Sequence, residues 1–222
     1  MRRLPLSFKQ ESSPFRFFKV MCRLCYAIKN VNRHFDWIAF AYDRLLGPYR
    51  TDKVVGILNL PVRGLLLDAG GGTGRASVAL HSFVGGVVVT DLSWPMLRQG
   101  RKRNGMKAVQ ARAEALPFSD GVFERVIVVD ALHHFSSRQT ALDELTRILS
   151  PGGRLLIEEP DLKRLGVKIV AVLEKILMME SHFVVPEGIA QALRQKGLSV
   201  LPIRRDNRFR AWIAADKPLI PA

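Results

Sequence analysis

The stretch Gly64-Leu-Leu-Leu-Asp-Ala-Gly-Gly-Gly-Thr-Gly74 constrains this chain more than any other. An apolar run ends in an acid, and glycine then recurs at positions 70, 72 and 74. Such a run reads as a buried strand, and glycine alone permits both a positive φ and the close approach of a ligand to the backbone. Helical periodicity resumes after Thr73, so the loop opens a helix whose first N–H groups lack intrahelical partners and face the strand end. A strand, a glycine loop and a helix in that order make a nucleotide-holding unit.

The spacing separates two nucleotides. A dinucleotide fingerprint runs Gly-x-Gly-x-x-Gly. This chain has Asp68-x-Gly70-x-Gly72-x-Gly74, with an acid two residues ahead of the first glycine. A carboxylate there repels a pyrophosphate and suits an ammonium group. The pattern fits S-adenosylmethionine (SAM) better than NAD, with Asp68, Gly70, Gly71, Gly72, Thr73 and Gly74 around it. A second acid, Asp91, ends the run Gly86-Val-Val-Val-Thr-Asp91, where a carboxylate can accept both ribose hydroxyls.

From 64 to 159 short β-branched runs alternate with helical patterns. Strands are expected near 64–68, 86–91, 107–110, 123–130 and 153–158, and helices near 73–83, 93–103 and 137–149. That rhythm implies an α/β, Rossmann-like, doubly wound and mostly parallel sheet. Ser150-Pro-Gly-Gly153 reads as a compact stop between helix and strand. Leu165–Met179 is apolar at helical spacing, and Pro186–Lys196 reads as another helix. Strands near 198–204 and 208–214, turned through Arg205-Asp-Asn207, complete a seven-stranded sheet ending in an antiparallel hairpin. The division expected is a basic helical N-terminal lid, 1–50, and a SAM-binding domain, 51–222, in which 160–197 is a variable substrate-side insertion.

Charge bears on partners. The net charge is +14 over 222 residues, and residues 1–50 hold ten Lys/Arg against three Asp/Glu. Basic surfaces attract nucleic acid and anionic lipid alike. Residues 15–31 carry Phe17, Val20, Met21, Leu24, Ala27, Ile28 and Val31 in a helical stripe opposite Arg16, Lys19, Arg23 and Lys29. Such a helix packs over a domain edge or lies on an anionic bilayer, which leaves peripheral membrane contact open. Arg98, Arg101, Lys102, Arg103 and Lys107 form a second basic group, read as a solvated helix face. No window of about 20 apolar residues spans a bilayer, and the first residues lack a secretory core, so a cytoplasmic protein is expected. Cys22 and Cys25 are a lone pair that cannot complete a four-ligand zinc site, and no other spacing suggests a metal.

Five segments in order carry a family resemblance. They are Leu67-Asp-Ala-Gly-Gly-Gly-Thr-Gly74, Thr90-Asp-Leu-Ser-Trp-Pro-Met-Leu97, Ala113-Glu-Ala-Leu-Pro-Phe-Ser-Asp-Gly-Val-Phe123, Ala131-Leu-His-His-Phe135 and Glu144-Leu-Thr-Arg-Ile-Leu-Ser-Pro-Gly-Gly-Arg-Leu-Leu156. Together they resemble the class I SAM-dependent methyltransferases, of the ubiquinone/menaquinone-biosynthesis C-methyltransferase type. Phe35-Asp36 and Ala41-Tyr-Asp-Arg-Leu45 resemble the family's lid segment more loosely.

The resemblance implies that Asp68 and the glycine loop hold the methionine end of SAM and Asp91 the ribose. It puts Leu92 and Met96 against the adenine, an N–H of Ala113 on the adenine ring, and Asp130 and Ala131 beside the sulfonium. The family usually has an acid before that alanine. Here the position is Arg112, which cannot accept a hydrogen bond, so Glu114 or a backbone carbonyl takes its place or cofactor binding is weakened. The implied reaction moves a methyl group to a small, apolar acceptor such as a quinone precursor. Carbon methylation of a phenol-like ring needs its hydroxyl deprotonated. His133, His134 and, from the lid, Tyr42 are the candidate catalytic side chains, with His182 a further imidazole. Glu158 and Glu159 end a strand, so one should face the cleft and the other a helix layer. An RNA methyltransferase is the alternative that the charge suggests, although Asp130-Ala-Leu-His replaces the Pro-Pro-aromatic motif common in base-amino methylases. A non-catalytic SAM-binding module is the other.

Overall fold

The computed structural model describes residues 49–101, 106–161, 185–206 and 210–219. The expected helices at 15–31 and 165–179, Cys22, Cys25, Tyr42 and His182 lie outside them. In chain order the described elements are α1 (Thr51–Ile57), β1 (Leu65–Ala69), α2 (Arg75–Leu80), β2 (Gly86–Asp91), α3 (Trp94–Gly100), β3 (Lys107–Gln110), β4 (Phe123–Val129), α4 (Arg138–Ile148) and β5 (Leu149–Pro160). They continue with α5 (Pro186–Gln195), β6 (Ser199–Val200), β7 (Arg204–Arg205) and β8 (Arg210–Asp216).

The strands form one sheet in the order β3-β2-β1-β4-β5-β8-β6, with β7 also paired to β8. β1 to β5 run parallel to their neighbours, and β8 runs antiparallel to β5. The order reverses between β2-β1 and β4, and ligands of open α/β sheets bind outside the carboxyl ends of the strands at such a switch point.

Continuous apolar runs in the central strands reflect burial on both faces. Leu66, Val87, Val89, Ile127, Leu156 and Trp212 pack with Val54 and Ile57 of α1, Ala76 and Leu80 of α2, and Leu97 of α3. Their neighbours Leu67, Val88, Val126, Val128, Leu155 and Ile157 pack with Leu142 and Leu145 of α4 and Ile189 and Leu193 of α5. The two-residue alternation of a strand thus assigns each side chain to one helix layer or the other.

Two local expectations are corrected. The strand expected at 198–204 is broken, so the hairpin side of the sheet counts one more short strand. Val200 pairs with Ala215 and Arg204 with Trp212, so three residues, 201–203, oppose two, Ile213 and Ala214. Pro202 lies at the break, where it has no N–H to give the ladder. Ser150–Gly153 is not a stop between elements but the irregular start of β5. Gly152 adopts φ +74° and its N–H donates to Lys217 O at 2.9 Å, while Lys217 N donates to Gly153 O at 2.9 Å. The C-terminal segment after β8 therefore pairs with this glycine turn.

Candidate active site

The glycine loop sits at the carboxyl end of β1, against β2 and the segment after β4. Gly70, Gly72 and Gly74 all take positive φ, at 71°, 55° and 72°. The N–H groups of Gly70 and Gly71 donate to Thr90 O at 2.8 and 3.0 Å, which ties the loop to β2. A Cβ on Gly70 would lie 2.7 Å from Ala131 Cβ and 3.1 Å from a ring carbon of Phe135. A Cβ on Gly72 would lie 2.9 Å from Met96 Cε, and one on Gly71 would lie 2.5 Å from the Asp68 carboxyl carbon. The loop is therefore packed on Asp68, Met96 and Ala131, which the family resemblance implies for the cofactor, and on Phe135.

Asp68 is buried on the α2 side of β1. Ser77 Oγ donates to its Oδ2 at 2.7 Å, whereas its Oδ1 is buried without a hydrogen-bond partner among the described residues. Burial is the main cause that lifts its pKa to about 6; the Asp91 charge adds to the rise, and the Ser77 bond and Arg75 oppose it. A buried carboxylate oxygen beside a cradle of glycine backbone fits a ligand that brings a positively charged or N–H donor. The residues present thus suit the amino-acid end of SAM.

Asp91 Oδ2 accepts from Gly72 N at 2.9 Å and Oδ1 from Ser93 N at 2.8 Å. The carboxylate that the sequence reserves for ribose hydroxyls is also the brace of the glycine loop and of the turn into α3. Ser93 caps α3 through Oγ, which accepts from Met96 N at 3.4 Å. Beside it Leu92 is an exposed apolar side chain and Met96 a buried one. Thr73 is buried at the end of the loop.

Ala113 is buried in a turn closed by Ala115 N donating to Arg112 O at 3.1 Å. Arg112 Nη2 donates to Ser136 Oγ at 3.0 Å, and Glu114 Oε1 accepts from Ser137 N at 3.1 Å. Arg112 and Glu114, 3.6 Å apart, thus both tether this turn to the start of α4.

Past β4 the backbone turns sharply. Asp130 has φ +52°, a conformation rare for a residue with a side chain and concentrated at functional sites. Arg210 Nη1, reaching over from β8, donates to Asp130 Oδ2 at 2.9 Å and Oδ1 at 3.2 Å and also to Glu158 Oε1. Arg75 lies 3.8 Å from Asp130, and its guanidinium sits 5.4 Å from the centre of the Tyr49 ring. Tyr49 Oη donates to Glu158 Oε2 at 2.6 Å, and Trp212 Nε1 donates to the same oxygen at 2.9 Å. Burial and the Glu158 charge together push the Tyr49 hydroxyl far above its ordinary pKa, so it stays protonated and a donor. Burial opposes the charge on Arg210, but Asp130 and Glu158 outweigh it and hold the guanidinium ionised.

Glu158 and Glu159 face opposite layers, as strand alternation requires, and both are buried at 2% and 3% exposure. Glu159 Oε1 accepts from Ala131 N at 3.1 Å and Leu132 N at 2.8 Å, and Oε2 lies 2.5 Å from His133 Nδ1. His133 is buried, and the partly buried His134 ring lies with its centre 3.9 Å from that of His133. Burial, reinforced by His133, lowers the His134 pKa well below the ordinary histidine range, so that ring is neutral.

The structure thus brings together Asp68, Gly70–Gly72, Asp91, Met96, Ala131 and the His133–Glu159 pair. Arg75, Ser77, Tyr49 and Arg210 escape sequence reasoning. Arg210 is 80 residues from Asp130, and no local pattern signals that contact; only the two glutamates at the end of a strand hinted at a polar cluster.

Comparison with known proteins agrees with this geometry. The family model described as "Methyltransferase domain" matches residues 67–157. Over 149 residues the chain is 35% identical to the ubiquinone/menaquinone biosynthesis C-methyltransferase UbiE of Blochmanniella pennsylvanica, covering 63% of this chain and 54% of that protein. Over 144 residues it is 36% identical to the demethylmenaquinone methyltransferase of Clavibacter sepedonicus, covering 58% of this chain and 57% of that protein. The chain thus spans little more than half the length of these curated relatives. Among solved structures, the methyltransferase in complex with the Haloferax volcanii Trm112 methyltransferase activator shares its fold. The TM-score is 0.71 at 18% identity, with 83% of this chain and 97% of that one covered. A SAM-dependent methyltransferase from Aquifex aeolicus gives a TM-score of 0.63 at 16% identity, with 93% of this chain and 99% of that one covered. The glycine loop, the strand order and the matched segment agree: residues 67–157 are similar to the methyltransferase domain, and the chain shares the fold of solved SAM-dependent methyltransferases.

Proposed function

We propose that this chain transfers a methyl group from SAM to the ring carbon of a prenylated quinone precursor. The reading is carried by the 35–36% identity to quinone-biosynthesis methyltransferases over 149 and 144 residues, and the match of the methyltransferase domain to residues 67–157 takes in the glycine loop and the turn after β4. In it, the Asp68 carboxylate and the 70–74 loop hold the methionine end, Asp91 the ribose, and Leu92 and Met96 the adenine. Ala113 and Glu114 lie at the adenine edge, and Asp130 and Ala131 form the wall beside the reacting methyl. SAM supplies an electrophilic methyl on a good leaving group, so the chain's own task is to align the acceptor and exclude water.

Residues 1–50 are proposed as the lid, with Tyr42 closing over the cofactor. The amphipathic stretch 15–31 is proposed to rest on an anionic bilayer, where an apolar acceptor resides. No helix among the described residues is long and apolar enough to cross a membrane.

The test incubates the purified chain with methyl-labelled SAM and demethylmenaquinol, kept reduced with dithionite and dispersed in liposomes, and in parallel with total RNA. Label in the organic phase, at the quinone's chromatographic position, supports the proposal. Label in RNA, or SAM binding by calorimetry with no quinone labelling, refutes it. Loss of liposome co-sedimentation on deleting residues 1–31 supports the membrane contact, and unchanged sedimentation refutes it.

A further inference from the structure

We propose that Glu159 is a positioning residue that holds His133 in its Nδ1–H tautomer, so that Nε2 receives the proton of the methyl acceptor's hydroxyl. This rests on the methyl-transfer reading above.

Glu159 Oε1 accepts from the backbone N–H groups of Ala131 and Leu132, at 3.1 and 2.8 Å, and Oε2 meets His133 Nδ1 at 2.5 Å. A carboxylate whose Oε1 takes two backbone N–H groups serves as an acceptor, so the proton between Oε2 and Nδ1 sits on the imidazole. A ring that carries its proton on Nδ1 has its lone pair on Nε2. Leu132 and His133 stand in the first turn after β4, and that turn is packed onto the cofactor loop through Ala131 and Phe135 against Gly70. The same three hydrogen bonds that set the tautomer therefore hold the imidazole in the turn that packs on the glycine loop.

In the step itself the acceptor's O–H bond breaks: its proton goes to Nε2 and its bonding pair stays on oxygen, which raises the electron density of the ring carbon that takes the methyl. As the new C–C bond forms, the pair of the broken S–C bond stays on the departing sulfur, and the ring carbon then loses its own proton so that the ring regains aromaticity and the oxygen is protonated again. The imidazolium that results faces the Glu159 carboxylate, which is 3% exposed. A charge formed there is compensated as it forms.

Glu159→Gln decides the matter because it preserves shape and reverses the donor. The amide oxygen still accepts from Ala131 and Leu132, but the amide nitrogen can only donate to Nδ1, which drives the proton to Nε2. His133→Asn is the second variant. Its amide nitrogen replaces Nδ1 as donor to Glu159 and it has no Nε2. Nitrogen-15 NMR of histidine-labelled protein, with the His133 resonances assigned through His133→Asn, reads the tautomer without any acceptor. The expected result is Nδ1–H in the native chain and Nε2–H in Glu159→Gln. Methyl transfer to demethylmenaquinol, kept reduced with dithionite, should fall by about 100-fold or more in both variants, with SAM affinity by calorimetry within about twofold of native. An Nε2–H tautomer in the native chain, an unchanged tautomer in Glu159→Gln, or native turnover in either variant overturns the proposal. If the native chain methylates no quinone, the acceptor assignment fails, while the tautomer still decides for or against Glu159.

Discussion

Replacing Asp68 by Asn should make the stability of this protein less sensitive to pH while weakening its hold on SAM. In the folded chain the Asp68 carboxyl has a pKa of about 6, against an ordinary value of 3.8, because burial disfavours its ionised form and the Asp91 charge adds to the effect. The folded state therefore binds this proton more tightly than the unfolded chain. Linkage then makes stability fall as pH rises from the unfolded value through the folded one. At about 1.4 kcal/mol per pH unit the full penalty is about 3 kcal/mol and is complete by pH 8. At pH 5 only about half of it is present. Asn carries no such proton, so the difference between native and Asp68→Asn should move by about 1.4 kcal/mol in the variant's favour between pH 5 and pH 8. Any constant cost of an unpaired amide NH2 cancels in that comparison. Urea unfolding of both proteins at the two pH values measures it. SAM titration by calorimetry at pH 8 should show affinity reduced at least about tenfold, because a hydrogen bond to a charged group is worth about 1.5–3 kcal/mol. Parallel unfolding free energies at pH 5 and pH 8, or SAM binding untouched by the substitution, would refute the reasoning.

Gly70→Ala places a Cβ 2.7 Å from Ala131 Cβ at φ +71°, so the loop must shift. SAM affinity should drop by about tenfold or more, since even 1.4 kcal/mol of strain suffices, and an unaltered calorimetric titration would contradict this. Arg125 is buried with Nε donating to Leu58 O at 2.7 Å and Nη2 to Asn59 O at 3.2 Å. Arg125→Met should cost about 2–3 kcal/mol by leaving those carbonyls unsatisfied, and a change in urea midpoint too small to resolve would count against it. Arg210→Met should cost about 2–3 kcal/mol, because Glu158 is buried and loses its cation, with a discount for the partial exposure of Arg210. Adding Glu158→Gln should recover part of that loss. A double variant no more stable than Arg210→Met would mean that the Glu158 charge is not the source of the cost.

Much of the scaffold was legible because its signals are local. The β-branched runs at 86–91 and 107–110 are the observed β2 and β3, and Pro186 opens α5 where the reading placed it. Element ends were less legible. α2 stops at Leu80, short of the helical pattern through 83, because residues 81–83 tighten into a 3-10 turn. The break between β6 and β7 depends on a register set by β8, which no run of residues near Pro202 reveals.

At the site the division has the same cause. The acid at 68 and the glycines at 70, 72 and 74 form a local pattern, so the amino-acid sequence by itself determined the strand, the glycine turn and the helix that follows it. Partnership was decided only by the tertiary structure. Asp91 acts as the loop's brace because Gly72 N reaches it across the sheet. Glu159 takes His133 rather than a cation, and Arg210 closes on Asp130 from 80 residues away, because parallel pairing of β4 with β5 and antiparallel pairing of β5 with β8 bring the ends of β4 and β5 beside the start of β8. Local pattern reads the periodicity and composition of one segment. Which charge meets which depends on strand order and register, and those are properties of the assembled sheet.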